Sequence, residues 1–164
     1  MLRDIAEGIA EFIREDEYLR DHGQVSVVVE DKANVGFEVE QAVGSLGVLA
    51  LISITGMNNL AQSAVLQVNI DIQISCYEHP SLNRDDPDTL TAQGVSERIA
   101  QILHYHRFPF LVGQMVFKDA GRDDVEDANI LRSNYRVQTE LGYEDGYFNP
   151  SAESTGEATQ NNQN

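Results

Sequence analysis

Tryptophan is absent from the 164 residues of this chain, and Cys76 is the only cysteine. A lone cysteine excludes an intramolecular disulfide framework and suits a reducing compartment. Sitting in an apolar stripe, Cys76 reads as a small buried hydrophobe rather than a nucleophile. Basic residues are scarce: 11 Lys and Arg stand against 27 Asp and Glu, a formal net charge of -16. That balance excludes the clustered cations of a phosphate-binding surface. Aromatic residues make up only 7% and do not alternate with bases, so a single-strand stacking platform is not indicated. No apolar run approaches the roughly 20 residues of a membrane helix. The first residues, MLRDIAEGIAEFIREDE, carry acids among their apolar positions, unlike a signal peptide. The expectation is a soluble protein made in a cytoplasm, without a membrane partner.

What is present fits one domain with a full core: hydrophobic residues reach 41%. Residues 1–20 read as a helix, with Leu2, Ile5, Ile9, Phe12 and Ile13 on one face and Gly23 as a stop. VSVVV at 25–29 is a short β-branched strand. Asn34 is placed to cap a second helix carrying Val35, Val39, Ala42, Val43 and Leu46, closed by Gly47. VLALISI at 48–54 is apolar on both faces, as in an inner strand covered at least partly on both sides. A polar turn is expected over 56–63. Residues 65–77 then alternate strictly. Leu66, Val68, Ile70, Ile72, Ile74 and Cys76 point one way, and Gln67, Asn69, Asp71, Gln73 and Ser75 the other. At roughly 3.3 Å per residue this strand spans about 40 Å, twice the usual length. A helix from about Leu90 buries Val95, Ile99, Ile102 and Leu103. Residues 110–118 and 130–142 read as a hairpin around an acidic loop. The element order α-β-α-β-β-α-β-β predicts an α+β fold, a mixed and largely antiparallel sheet with helices mainly on one face. The domain is set at 1–143. The polar, acidic segment 144–164 is too poor in large apolar side chains to offset its own ordering entropy.

No catalytic motif emerges. AVGSLG matches neither the dinucleotide fingerprint nor the phosphate loop and falls at a helix end. No Gly-x-Ser-x-Gly elbow is present. Asp85, Asp86 and Asp88 read as solvated acids favouring the N-terminus of the next helix, with a hard-cation site as the alternative. Asp119, Asp123, Asp124, Glu126 and Asp127 lack calcium-loop spacing and read as an exposed hairpin tip able to meet a basic partner. His104 and His106, two apart, do not face each other on a helix, so a shared zinc is not expected. They read instead as helix C-terminal residues favoured by the dipole when protonated. No catalytic residue, cofactor or metal is assigned.

One stretch carries a likeness. The strand ends Cys76-Tyr77-Glu78-His79-Pro80, continues Ser81-Leu82-Asn83-Arg84, and leads to a helix closing Leu103-His104-Tyr105-His106. Upstream, a helix ends at Leu46-Gly47 and runs straight into Val48–Ile54. This resembles the phage tail terminator, or tail completion, proteins. The likeness follows the element order over about 1–142 and is specific over 76–106. The loop that the family pattern makes rich in Gly and Thr is acidic here, Asp85 to Asp88, and segment 144–164 has no counterpart.

The resemblance implies a non-enzymatic virion protein at the tail–neck junction: an α+β subunit that closes into a ring, usually a hexamer. Such a ring caps the tail tube, stops its polymerisation and joins tail to head, with DNA passing through the centre without specific binding. Its implied partners are further copies of itself, the tail tube protein, a neck or head-completion protein and, in a contractile tail, the sheath protein. The corner residues Tyr77, Glu78, Pro80, Asn83 and Arg84 become assembly candidates. Gln67, Asn69, Asp71 and Gln73 become the lumen- or neighbour-facing candidates. Another head–tail connector or neck protein of similar fold is the alternative. An acidic protein that mimics DNA and a metal-dependent enzyme stand further off.

Overall fold

The computed structural model describes residues 2–22, 25–30, 47–60, 66–79, 82, 85, 88–123 and 129–141. Within them the chain forms α1 (Leu2–Arg14), α2 (Glu17–Asp21), β1 (Val25–Val29), β2 (Val48–Asn59), β3 (Leu66–Glu78), α3 (Ala92–Leu103), β4 (Val116–Asp123) and β5 (Asn129–Leu141). The helix expected over 34–46, the stop at Gly23 and the segment 144–164 lie outside the described residues.

The strands make one mixed sheet in the order β1-β2-β3-β5-β4. β1 and β2 run parallel, and every other neighbouring pair is antiparallel. This is the α+β class that the alternation and helix patterns predict. β3 is the central strand because only it carries strict alternation long enough to serve two long partners. It pairs with β2 from Glu78 to Val68 and with β5 along its whole length. Its Val68, Ile70, Ile72, Ile74 and Cys76 are all within 1% of complete burial.

Those side chains form one core with Ile5, Ile9 and Ile13 of α1 and Val95, Ile99 and Leu103 of α3. Both long helices therefore cover the same face of the sheet. A fully buried Ile or Leu contributes about 1.5–3 kcal/mol relative to exposure, so this layer dominates the stability. On the opposite face Leu49 and Leu51 are also buried, at 2% and 6%, but stand outside that core. β2 is thus an inner strand covered on both sides at its first half.

Several expected boundaries move. The helix over 1–20 is two helices, because Asp16 adopts extended backbone (φ -61, ψ 119) and caps α2 by accepting the Leu19 N–H at 3.1 Å. The polar turn over 56–63 does not begin at Gly56: β2 continues to Asn59, with a bulge between Ile54 and Gly56 that lets it follow β3. The first hairpin arm is not 110–118 but Val116–Asp123. The apolar residues before it instead form a strap across the helix layer, burying Phe108, Leu111 and Met115. Leu66 points to the core face but lies beyond the helices and is 41% exposed.

The strap sits where it does because glycines let it. The Phe110 ring lies over Gly8, where an added Cβ would come within 2.6 Å of the ring. Gly113 lies against β5, donating its N–H to Gln138 O at 2.9 Å, with a Cβ-equivalent position only 3.0 Å from Gln138 Cβ. Between them Phe12 and His106 stack with centroids 4.1 Å apart, and Phe108 meets both rings edge-on.

Candidate functional site

The polar face of β3 is the most extensive arrangement of functional groups among the described residues. Because side chains alternate along a strand, Gln67, Asn69, Asp71 and Gln73 share this face, and all four are half-exposed. Registration with β5 sets Asp71 opposite Arg136, Gln73 opposite Asn134, Asn69 opposite Gln138 and Gln67 opposite Glu140. Ser75, on the same face, is buried at 3%. The open part of the face therefore begins at Gln73 and runs toward Gln67.

Cross-strand bonds tie this surface together. Arg136 donates to Asp71 in fork geometry, Nε to Oδ1 at 2.7 Å and Nη2 to Oδ2 at 3.2 Å. Asp71 also accepts from Asn58 Nδ2 at 3.2 Å, and its backbone carbonyl accepts from Thr55 Oγ1. One row further, Gln73 Nε2 donates to Asn134 Oδ1 at 3.1 Å, and Asn134 Nδ2 to Asp119 Oδ1 at 2.6 Å. Gln67 donates to Glu140 at 2.9 Å. Toward the corner, Arg132 pairs with Asp123 at 2.7 Å. Asp71 pushes the Arg136 guanidinium pKa further above its ordinary value through these bonds. Both arginines on this face are thus neutralised by a carboxylate on the neighbouring strand, and the surface is amide-rich and wettable.

The corner at the end of β3 is built differently. Glu78 is buried and accepts the backbone N–H of Ala92 at 3.0 Å, the first residue of α3. Asn129 Nδ2 approaches its other oxygen at a long 3.5 Å. Thr91 caps the same helix by accepting the Gly94 N–H at 3.2 Å. The shallow hollow here is bounded by Glu78, Thr91, Gln93, Arg122, Asn129 and Leu131. Glu78 anchors a helix start rather than standing as a free acid. Tyr77 points to the other face, opposite Leu49 and Ile130, and is half-buried. Pro80, Asn83 and Arg84 lie outside the described residues, as does Asp86.

The acidic cluster is divided. Asp119 and Asp123 belong to β4, where Asn134 and Arg132 engage them, rather than to a loop. Asp124, Glu126 and Asp127 lie outside the described residues. His104 is the C-cap of α3, donating its N–H to Ala100 O at 3.0 Å, and His106 lies two residues beyond it. His104 Nδ1 accepts the Phe117 N–H at 3.2 Å, and the His106 ring packs on Phe12. Cys76 is fully buried, and burial pushes its thiol up to about 12, so it holds no thiolate at neutral pH. No group of three or more His, Cys, Asp or Glu among the described residues is arranged to hold a metal ion. No helix among them is long and apolar enough to cross a membrane.

Sequence reasoning missed the partners of this surface. Arg136 and Asn134 alternate correctly within 130–142, but their register against Asp71 and Gln73 depends on β5 entering the sheet beside β3, which no local pattern encodes. The class defined by these features is an α+β protein with a helix layer on one sheet face and an amide- and carboxylate-rich ladder on the other. The chain matches no protein-family model and no curated protein.

Proposed function

We propose that the protein is a structural subunit of a phage tail, a terminator that closes into a ring on the end of the tail tube, halts its polymerisation and joins it to the neck. The polar face of β3 carries this reading. A wall beside passing DNA must be wetted and must offer no free cation to phosphate, since each phosphate contact adds salt-sensitive affinity. Here Arg136 and Arg132 are already held by Asp71 and Asp123, while Glu140 and Asp119 accept only neutral amides. Carboxylates in excess along such a surface repel the backbone of DNA and let it slide. The likeness of Tyr77 to Arg84 and of Leu103 to His106 to tail terminator proteins supplies the tail itself. A related connector or neck protein shares the surface logic but would leave tail length under other control.

The deciding experiment is deletion of the gene followed by negative-stain imaging of tails. Tails of uncontrolled length, restored to one length by the wild-type protein in trans, are expected. Tails of normal length in the deletion would end the terminator reading.

A further inference from the structure

The outer flank of β4 is closed at one end and open at the other. Residues 104–106 fill its start: Tyr105 N donates to Met115 O at 2.7 Å, Met115 N to His106 O at 2.9 Å, and Phe117 N to His104 Nδ1 at 3.2 Å. Beyond the bulge between Phe117 and Asp119 the register with β5 is regular, and Asp119, Gly121 and Asp123 stand opposite Asn134, Arg132 and Ile130. Gln138 O accepts the Gly113 N–H, so the even-numbered residues of β5 turn their backbone groups toward β4. Asp119, Gly121 and Asp123 therefore bond into the ladder, and Ala120 and Arg122 turn N–H and C=O outward. Among the described residues, no backbone group outside the ladder bonds to either. At β1, the opposite margin of the sheet, the Arg14 guanidinium lies on Val27 O. No described side chain guards Ala120 and Arg122 in that way.

We infer that this open stretch of β4 takes an added strand: an extended, acid-bearing segment of another protein. Access is free. Lys118 to Arg122 are all exposed, Ala120 and Gly121 are small, and a Cβ added at Gly121 would meet nothing within 4 Å. An added strand draws its affinity from main-chain bonds and its specificity from alternate side chains. A phosphate backbone offers acceptors but no donor for the outward C=O groups, so the edge suits a polypeptide rather than nucleic acid.

Charge selects the occupant. Lys118 and Arg122 have no carboxylate partner among the described residues. Arg122 stands opposite Leu131 and Ala120 opposite Ser133, on the helix side of the sheet. Asp119 and Asp123 lie on the other side, where Asn134 and Arg132 engage them. Every second residue of an added strand comes to the helix side. An acid there meets Arg122, and opposite charges across a strand pair are favourable. The intervening residues meet the side of Asp119 and Asp123, which suits neutral hydroxyl side chains. The hollow bounded by Thr91, Gln93, Arg122 and Leu131 gives the acid room beside the guanidinium. Glu78 also borders it, but is buried with Oε2 on the Ala92 N–H.

This inference does not rest on the tail reading, and tail lengths in the deletion phage leave it untouched. The probe is a capped peptide of about seven residues, strand length, alternating Thr and Glu. A Thr–Lys peptide of equal length is the control. Titrations by fluorescence anisotropy are run in about 150 mM salt, where the repulsion of a chain of net charge -16 is screened beyond about 8 Å. Saturable binding of the Thr–Glu peptide is expected. Amide exchange at Ala120 and Arg122 should be fast in the free protein and slow at least about tenfold on binding, with Gly121 little changed. Ala120→Pro removes an outward N–H and spares the ladder, a substitution that edge strands tolerate, and should lose at least about tenfold in affinity. Arg122→Glu should weaken the Thr–Glu peptide by a similar factor and admit the Thr–Lys peptide. Thermal melts check that both variants fold. Should Ala120→Pro melt early, the wild-type exchange and Arg122→Glu decide. The inference is overturned by no binding of the Thr–Glu peptide up to about 1 mM, or by Ala120 and Arg122 amides already protected in the free protein. Binding without their protection, a folded Ala120→Pro that binds like wild type, or a wild type that takes the Thr–Lys peptide as tightly would overturn it equally.

Discussion

Asp16 joins two parts of the molecule with one carboxylate. Oδ1 takes the Leu19 N–H that starts α2, and both oxygens take the Arg98 fork at 3.1 and 2.7 Å. The hydrogen bond from Arg98 holds the Asp16 carboxyl below its ordinary range, against burial that raises it. A depressed carboxyl stabilises the fold above its unfolded pKa, near 3.9, and the contribution is lost as pH falls through the folded value. Asp16→Asn keeps the cap and loses the charge pair. It should cost about 1 kcal/mol or less at pH 7, because Arg98 is a third exposed. That difference should close below about pH 4 in urea melts across pH. Asp16→Ala also removes the cap and should cost about 1 kcal/mol more. Tyr135 gives the opposite case. It is 1% exposed and its hydroxyl has no well-formed hydrogen bond, since the nearby Ser133 is engaged with Ser96 at 2.6 Å. Burial pushes its phenol far above the ordinary value, Cys76 adds to the rise, and Ser133 pulls the other way. An unmade buried bond costs about 1–3 kcal/mol, so Tyr135→Phe should leave stability unchanged or raise it. A loss above about 1 kcal/mol in a denaturant titration would show that the hydroxyl is bound after all.

At the scale of elements, the polar ladder makes a prediction about adhesion. Asp71→Ala with Asp123→Ala releases Arg136 and Arg132 from their strand partners. Both arginines are more than 40% exposed, so stability should change little. Gel shift of duplex DNA at low salt should then show salt-sensitive retention that wild type lacks; no change in retention would detach the paired arginines from the DNA argument. On the other face, Ile72→Ala empties part of the core beneath both helices and should cost about 2–5 kcal/mol by chemical denaturation. β3 itself was legible from Val68 to Cys76 because period-2 alternation has one physical meaning when one face is buried. The strap was not. FLVGQMVFK reads as a strand because Leu111, Met115 and Phe117 are apolar and closely spaced, yet Gly113 lies against Gln138 and the residues before it cross to Gly8. The break at Asp16 was equally hidden. Good helix formers surround it, and its partner Arg98 is 82 residues away. The candidate face could be named from β3 alone, but the pairing of its arginines could not, because that depends on β5 and β4.

At the scale of the whole molecule, burial and polarity are segregated by layer. The helix layer and one sheet face hold the core. The other face is apolar mainly near the corner, at Leu49, Leu51 and Ile130, and largely polar beyond Gln73. Neither margin of the sheet offers a bare β-edge along its whole length, which protects against edge-to-edge aggregation. The Arg14 cap on Val27 O is the guard at β1. Arg14→Ala should leave the melting temperature nearly unchanged but increase light scattering on concentration, through strand addition at β1. Scattering equal to wild type would mean that α2 and its neighbours already cover the edge.

The position of β5 has a consequence for synthesis. This strand, the last in the described chain, sits between β3 and β4 rather than at the margin. Its residues Asn129–Leu141 pair with Glu78–Leu66, chain positions that leave the ribosome long before it. Until residue 141 emerges, β3 has one long flank without a partner and its isoleucine row lacks the cover of Tyr135 and Val137. Non-local pairing of this kind is slow, and unpaired apolar strands are where nascent chains go astray. A translation product stopped shortly before Asn129 should therefore be held by chaperones or aggregate, and the native sheet forms only when the final strand slides in beside the centre.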